Sequence, residues 1–179
     1  DRVTAQQVAD AAALLGYRPL ELGAPMFQAS VPVDGDVTEH VAQMIGQGRV
    51  EGNVLNVALM SASIASGSSI QPRLVVDPDE PDGAARAALD PGRVTIMRDL
   101  MRAVVTEGTA DVLADVPGGD VFAKTGTAEF GTEDPPETHA WITGYQGDVA
   151  FAVVVEGGGG GGSVAGPLAA DFLEGLAGP

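Results

Sequence analysis

The 179-residue chain can form one domain or a large piece of one; 45% of its residues are apolar, but only 4% are aromatic, so small aliphatics must fill its core. Its formal charge of −16, from 9 basic and 25 acidic residues, argues against a nucleic-acid partner, which needs clustered cations, and against electrostatic attachment to anionic lipid. Cysteine is absent, so disulfides and thiolate metal sites are excluded, and no apolar run approaches the roughly 18 residues of a membrane helix.

Thr4-x-x-Gln7 reads as a capping box that opens a helix with Val8, Ala11, Ala12 and Leu15 at helical spacing, stopped by Gly16. Residues 17–37, rich in Pro, Gly and single apolars, read as loop. Thr38 can cap a short helix through Met44, which Gly46 ends. Asn53 caps the next helix, with Val54, Val57, Ala58, Ala62 and Ala65 on its apolar face and Gly67 as its stop. A brief strand is expected at 70–76, then a solvated acidic loop from Asp77 to Gly83. Thr95 to Val105 reads as an amphipathic helix with Ile96, Leu100 and Val104 inward and Arg98 and Arg102 outward.

Three strands follow, roughly 121–127, 139–145 and 149–156, joined by links short enough for antiparallel neighbours. Gly131 to Glu137, containing Pro135-Pro136, reads as a mobile flap, and the six glycines from Gly157 to Gly162 as a flexible connector. A last helix from Pro167 to Leu176 carries Leu168, Phe172, Leu173 and Leu176. This order predicts an α+β domain, an antiparallel sheet covered by helices.

The chemistry concentrates in Lys124-Thr125-Gly126-Thr127-Ala128-Glu129, whose first residue is the one lysine of the chain. An ammonium, two hydroxyls and a backbone without a Cβ suit an anionic carboxylate or oxyanion. The same stretch resembles the third motif of the transpeptidase domain of penicillin-binding proteins, and three further segments fall in that family's order: Ile45-Gly46-Gln47-Gly48, Val105-Thr106-Glu107-Gly108-Thr109-Ala110, and His139-Ala140-Trp141-Ile142-Thr143-Gly144-Tyr145. The resemblance runs from about Gly16 to the final helix and is nearest to class B proteins, in particular the penicillin-binding lipoproteins of high-GC Gram-positive bacteria.

Two family motifs are missing. No Ser-x-x-Lys, which would carry the nucleophile, and no Ser-x-Asn occurs in the sequence. Residues 1–179 are therefore expected to form the C-terminal part of one transpeptidase domain, with those motifs upstream. This part is expected to exist only when paired with the remaining N-terminal part, as a second chain or another segment, which would cover apolar faces of the sheet and of the Asn53 helix.

The resemblance implies a D,D-transpeptidase at the extracytoplasmic face of a membrane, anchored upstream, acting without cofactor or metal. It would cross-link D-Ala-D-Ala stem peptides of peptidoglycan through an acyl-serine and be acylated by β-lactams. Lys124 would supply positive potential and keep the nucleophile's lysine neutral. Thr125 and Thr127 would bind the terminal carboxylate, Gly126 would admit the substrate backbone, and the Thr127 N–H would be one of two oxyanion donors.

Other readings remain: a non-catalytic β-lactam sensor, a degenerate assembly domain, or a serine β-lactamase, although no deacylating glutamate can be placed. Nucleotide binding is a more distant alternative. Gly118 to Thr125 is a near miss to a P-loop, with Ala123 where glycine is needed and no helix expected afterwards. His40 and His139 lack companions at metal-ligand spacing, and Trp141 reads as core or interface.

Overall fold

Helix α1, Ala5–Leu14, begins where the Thr4 and Gln7 side chains cap each other's backbone N–H groups. The computed structural model describes residues 3–75 and 87–178, which fall into two compact units divided near Pro91.

In the first unit α1 is followed by α2, Val37–Gln43, and α3, Val54–Ser66. The cap of α2 is Asp36 rather than Thr38: its carboxylate accepts from the Glu39 N–H at 2.9 Å, in an Asp-x-x-Glu pattern two residues upstream of the expected start. The helix α3 has the expected ends, Asn53 capping through the Asn56 N–H and Gly67 closing it at φ 69°.

Its buried face is not the expected one. Asn56, Leu59, Ser61, Ser63 and Ile64 are buried, whereas Val54 is exposed and Val57, Ala58, Ala62 and Ala65 are only partly covered. Hydrogen bonds explain the reversal. The Asn56 amide donates to the carbonyls of Gly16 at 3.0 Å and Arg18 at 2.8 Å, and the Ser63 hydroxyl donates to that of Leu15. The polar face of α3 thus satisfies the chain leaving α1, and buried polar groups so paired are tolerated.

Residues 17–36 are loop, interrupted by one bridge between Ser30 and Glu51. Tyr17 lies against Gly52, where a Cβ would overlap its ring, and burial together with the Glu51 carboxylate raises the pKa of its phenol. No strand forms over 70–75: Pro72 lacks an N–H, and the Arg18 guanidinium takes the Ile70 carbonyl, leaving only a bridge between Ser68 and Ala88. The acidic loop expected from Asp77 to Gly83 lies outside the described residues.

The second unit contains α4, Pro91–Thr106, a 3-10 turn at Asp111–Leu113, strands β1 (Val121–Phe130), β2 (Glu137–Gln146) and β3 (Val149–Val155), and α5, Gly166–Ala177. The strands form an antiparallel sheet in the order β1-β2-β3, so the α+β class is as expected. Side chains alternate across it. On one face Val121, Ala123, Ala140, Ile142 and Phe151 join Val105, Leu113, Ala169 and Leu173 in the core.

Helix α4 presents a different face from that expected. In α4 the buried residues are Val94, Met101 and Val105, while Ile96 and Leu100 are each 58% exposed. Arg102 points inward, donating to the Val121 carbonyl at 3.0 Å and pairing with Asp120 at 2.8 Å, which fixes the start of β1. In α5, Ala169, Ala170 and Leu173 are buried, whereas Leu168, Phe172 and Leu176 are about half exposed. Small alanines let the helix backbone approach the sheet.

The glycine run is also a correction. Instead of a connector, it enters a π-helical turn, Gly161–Ala165, in which Gly161 and Ala165 are buried. A Cβ on Gly161 would overlap the carbonyls of Gly126 and Trp141, and one on Gly162 the carbonyl of Thr109. Glycine is required here by close backbone approach, a use the sequence does not distinguish from flexibility. Between β1 and β2, residues 131–136 form a turn with a cis Asp134–Pro135 bond. Both flanking strands run further toward this turn than expected, β1 to Phe130 instead of 127 and β2 from Glu137 instead of 139.

Two stability outcomes follow. Asn56→Ala, which strands two carbonyls, should destabilise the folded protein by about 1–3 kcal/mol in urea denaturation. Gly161→Ala should cost about 1–3 kcal/mol through overpacking, read as a lowered melting temperature, whereas a flexible connector would tolerate it.

Candidate active site

Strand β1 places its residues on two faces. Thr125 and Thr127 continue the row of Val121 and Ala123 past the end of the core, opposite Ile142 and Ala140 of β2. Lys124 and Gly126 occupy the other face, opposite Thr143 and Trp141. The sheet order leaves β1 at an edge, with no further strand beside it among the described residues.

On the Thr125/Thr127 face lies an open depression of about 420 Å³, lined by Thr109, Asp111, Thr125, Thr127 and the turn at 160–163. Its hydroxyls are tied to the wall. Thr109 Oγ1 and Thr125 Oγ1 are 2.6 Å apart, and the Gly161 N–H donates to Thr127 Oγ1 at 3.4 Å. Ser163 Oγ donates to the Gly160 carbonyl at 3.3 Å, closing the turn on itself. Asp111 is the single charged residue of the lining, so any anion held here meets one repelling carboxylate.

Lys124 is exposed and does not line the depression. Its Nζ folds back along the strand and donates to the Thr125 carbonyl at 2.6 Å. Gly126 lies beneath Trp141, where a Cβ would come within 3.3 Å of the Trp141 Cβ. Along the same face Phe122 stacks on Tyr145 with centroids 4.7 Å apart. Tyr145 is buried, which raises the pKa of its phenol, with the nearby Arg98 charge opposing.

The structure thus brings Thr125 and Thr127 together and sets Lys124 and Gly126 on the reverse of the same strand. Thr109, Asp111 and Gly160 to Gly162 were not expected at the site. The Gly-Thr-Ala segment offered a signal for Thr109, and six consecutive glycines offered one for a backbone packed at short range.

The remaining candidates serve local structure. His139 stacks on Phe130 at 4.0 Å and accepts the Gly157 N–H at its Nδ1, steering the chain into the glycine run. His40 Nε2 lies 2.7 Å from the Val3 carbonyl. Trp141 is partly buried. The P-loop alternative fails because Lys124 and Thr125 sit inside a strand that continues to Phe130, where a phosphate loop would turn into a helix.

Residues 2–174 match the penicillin binding protein transpeptidase domain. The peptidoglycan D,D-transpeptidase PbpA of Mycolicibacterium smegmatis is 35% identical over 143 residues, covering 70% of this chain and 28% of that protein. The crystal structure of PBPA from Mycobacterium tuberculosis superposes with a TM-score of 0.72 at 27% identity, over 94% of this chain and 42% of that one. Pseudomonas aeruginosa PBP2, solved in complex with WCK 5153, shares the fold at a TM-score of 0.79 and 22% identity, over 96% and 42% of the two chains. The chain spans about 28% of the length of the curated relatives it matches. With its motifs in family order and its sheet superposing on those proteins, this chain belongs to the penicillin-binding protein transpeptidase domain family.

Proposed function

We propose that this chain supplies the strand wall of a D,D-transpeptidase that cross-links peptidoglycan stem peptides through an acyl-serine and is acylated by β-lactams. The observation that carries the reading is the paired Thr125 and Thr127 hydroxyls beside an open depression, on the edge strand of a transpeptidase-family sheet. In the reaction a serine hydroxyl attacks the penultimate D-Ala carbonyl, the terminal D-Ala departs, and the amine of a second stem peptide resolves the ester. The Thr125 and Thr127 hydroxyls would hold the terminal carboxylate, and the Thr127 N–H would donate to the oxyanion. Losing one such donor typically costs about 2.7–4 kcal/mol of transition-state stabilisation.

Lys124 would act from the other face. Its ammonium, held at the Thr125 carbonyl, favours an anionic substrate along the strand edge and, by like-charge repulsion, a neutral lysine in the nucleophile's motif. Gly126 keeps the edge open to a substrate backbone. No cofactor enters this scheme.

The nucleophile is contributed from outside these 179 residues, because the sequence contains neither Ser-x-x-Lys nor Ser-x-Asn. In this reading the chain is the C-terminal part of one transpeptidase domain. An apolar stripe on α2 supports a covering segment: Val37, Val41 and Met44 are half exposed or more, and the adjoining Ile45 is 78% exposed. The site of action is the extracytoplasmic face of the membrane, where peptidoglycan lies. Among the described residues no helix is long and apolar enough to cross a membrane.

Fluorescent penicillin applied to the complete protein tests the reading. A stable adduct supports it, rapid turnover indicates a β-lactamase, and no labelling indicates a non-catalytic relative. In the same assay Lys124→Ala should slow acylation about 100-fold or more while melting unchanged; unaltered kinetics would remove Lys124 from the mechanism. Asp111→Asn should speed acylation by carboxylate-bearing β-lactams about two- to fivefold, an effect that shrinks with added salt.

A further inference from the structure

Thr109 sits between α4 and the 3-10 turn, outside the strand that carries the proposed substrate contacts. Its position is fixed from two sides. The next residue, Ala110, is fully buried and donates its N–H to the Val104 carbonyl at 3.0 Å, and Gly162 packs on the Thr109 carbonyl without room for a Cβ. From there Thr109 Oγ1 reaches Thr125 Oγ1 at 2.6 Å, a short hydroxyl–hydroxyl hydrogen bond.

Such a bond has a direction. Each hydroxyl has one proton and two acceptor lone pairs. If Thr125 gave its proton to Thr109, it would turn only lone pairs toward the depression, where Asp111 already adds negative charge. An anionic ligand would then meet repulsion. If Thr109 is the donor, the Thr125 proton is directed away from Thr109 and becomes available to a ligand acceptor. A hydroxyl that accepts one hydrogen bond also donates more strongly, through polarisation along the chain.

We infer that Thr109 is a positioning residue: its hydroxyl donates to Thr125 Oγ1 and turns the Thr125 proton into the depression, as a fixed donor for the substrate carboxylate. This rests on the carboxylate reading of Thr125 given above. The turn that seats on Thr109 also holds Thr127 through the Gly161 N–H.

The test compares acylation of the complete protein by benzylpenicillin and by its methyl ester, which lacks the anionic carboxylate. Thr109→Val, which removes the hydroxyl at nearly constant shape, should lower the second-order rate for the acid about tenfold and that for the ester less than about twofold. Thr109→Ser should restore the acid rate. If Thr109→Val does not fold, Thr109→Ala gives the same comparison. Equal losses for acid and ester would overturn the inference, since a merely structural residue would produce them.

Thr125→Val separates the two levels of the argument. Acid-selective loss in Thr125→Val with no effect in Thr109→Val overturns the role of Thr109 and leaves the carboxylate reading standing. No acid-selective loss in Thr125→Val overturns that reading, and the role of Thr109 with it.

Discussion

Backbone packed directly on backbone, with no Cβ between, is the contact on which the pocket depends. Gly161 lies over the Gly126–Trp141 pair of the sheet, and Gly162 over the Thr109 carbonyl. Any other residue at these two positions would lift the turn off the sheet or push β1 aside. Ordering glycines carries the largest backbone entropy loss of any residue, so the run is held by its packing: a π-helical turn with Gly161 and Ala165 buried feeds α5, whose Ala169, Ala170 and Leu173 bury against the sheet. The pocket wall and the core are consequently one packing unit, and the wall inherits the rigidity of the core.

The same economy of side-chain volume organises the second unit. With 4% aromatic residues, the core between sheet and helices is built from Ala, Val, Leu and Ile142 with Phe151 as its aromatic member, and small side chains bring α5 and the glycine turn near the strands. Because β1 is an edge strand, its alternation serves both purposes. The first residues of one row, Val121 and Ala123, are anchored in the core, and the next two, Thr125 and Thr127, reach the depression with their spacing already fixed. Arg102 adds a second restraint by holding the Val121 carbonyl at the start of the strand.

Much of this was legible in the sequence, and the failures have a common cause. Helix caps at Thr4 and Asn53, the stop at Gly67 and the three strands follow from local chemistry, which sequence displays directly. Burial does not. Asn56 and Ser63 were passed over for the buried face of α3 because an apolar-periodicity argument cannot see two or three carbonyls waiting on another segment. Ile96 and Leu100 of α4 look inward by hydropathy, yet Val94, Met101 and Val105 occupy the interior. At the depression, Thr125 and Thr127 belong to a motif that the sequence displays, whereas Thr109 and Gly160 to Gly162 come together only through tertiary folding. Their type, small or hydroxylated, carries little information until a partner is known.

The electrostatics set a limit on how the site can work. A chain with net charge −16 produces an average field that opposes anionic ligands, and beyond about 8 Å at physiological ionic strength that field is screened. The carboxylate recognition proposed above would therefore have to be made at contact distance, by directed O–H and N–H groups whose geometry is set beforehand. Oriented donors do not require net charge; they require that no reorganisation be needed when the ligand arrives. The hydrogen-bonded threonines and the seated glycine turn provide that preorganisation. Lys124, on the reverse of the strand, adds charge where the hydroxyls cannot. In the proposed reading one edge strand thus offers direction on one face and potential on the other, two contributions that add without either replacing the other.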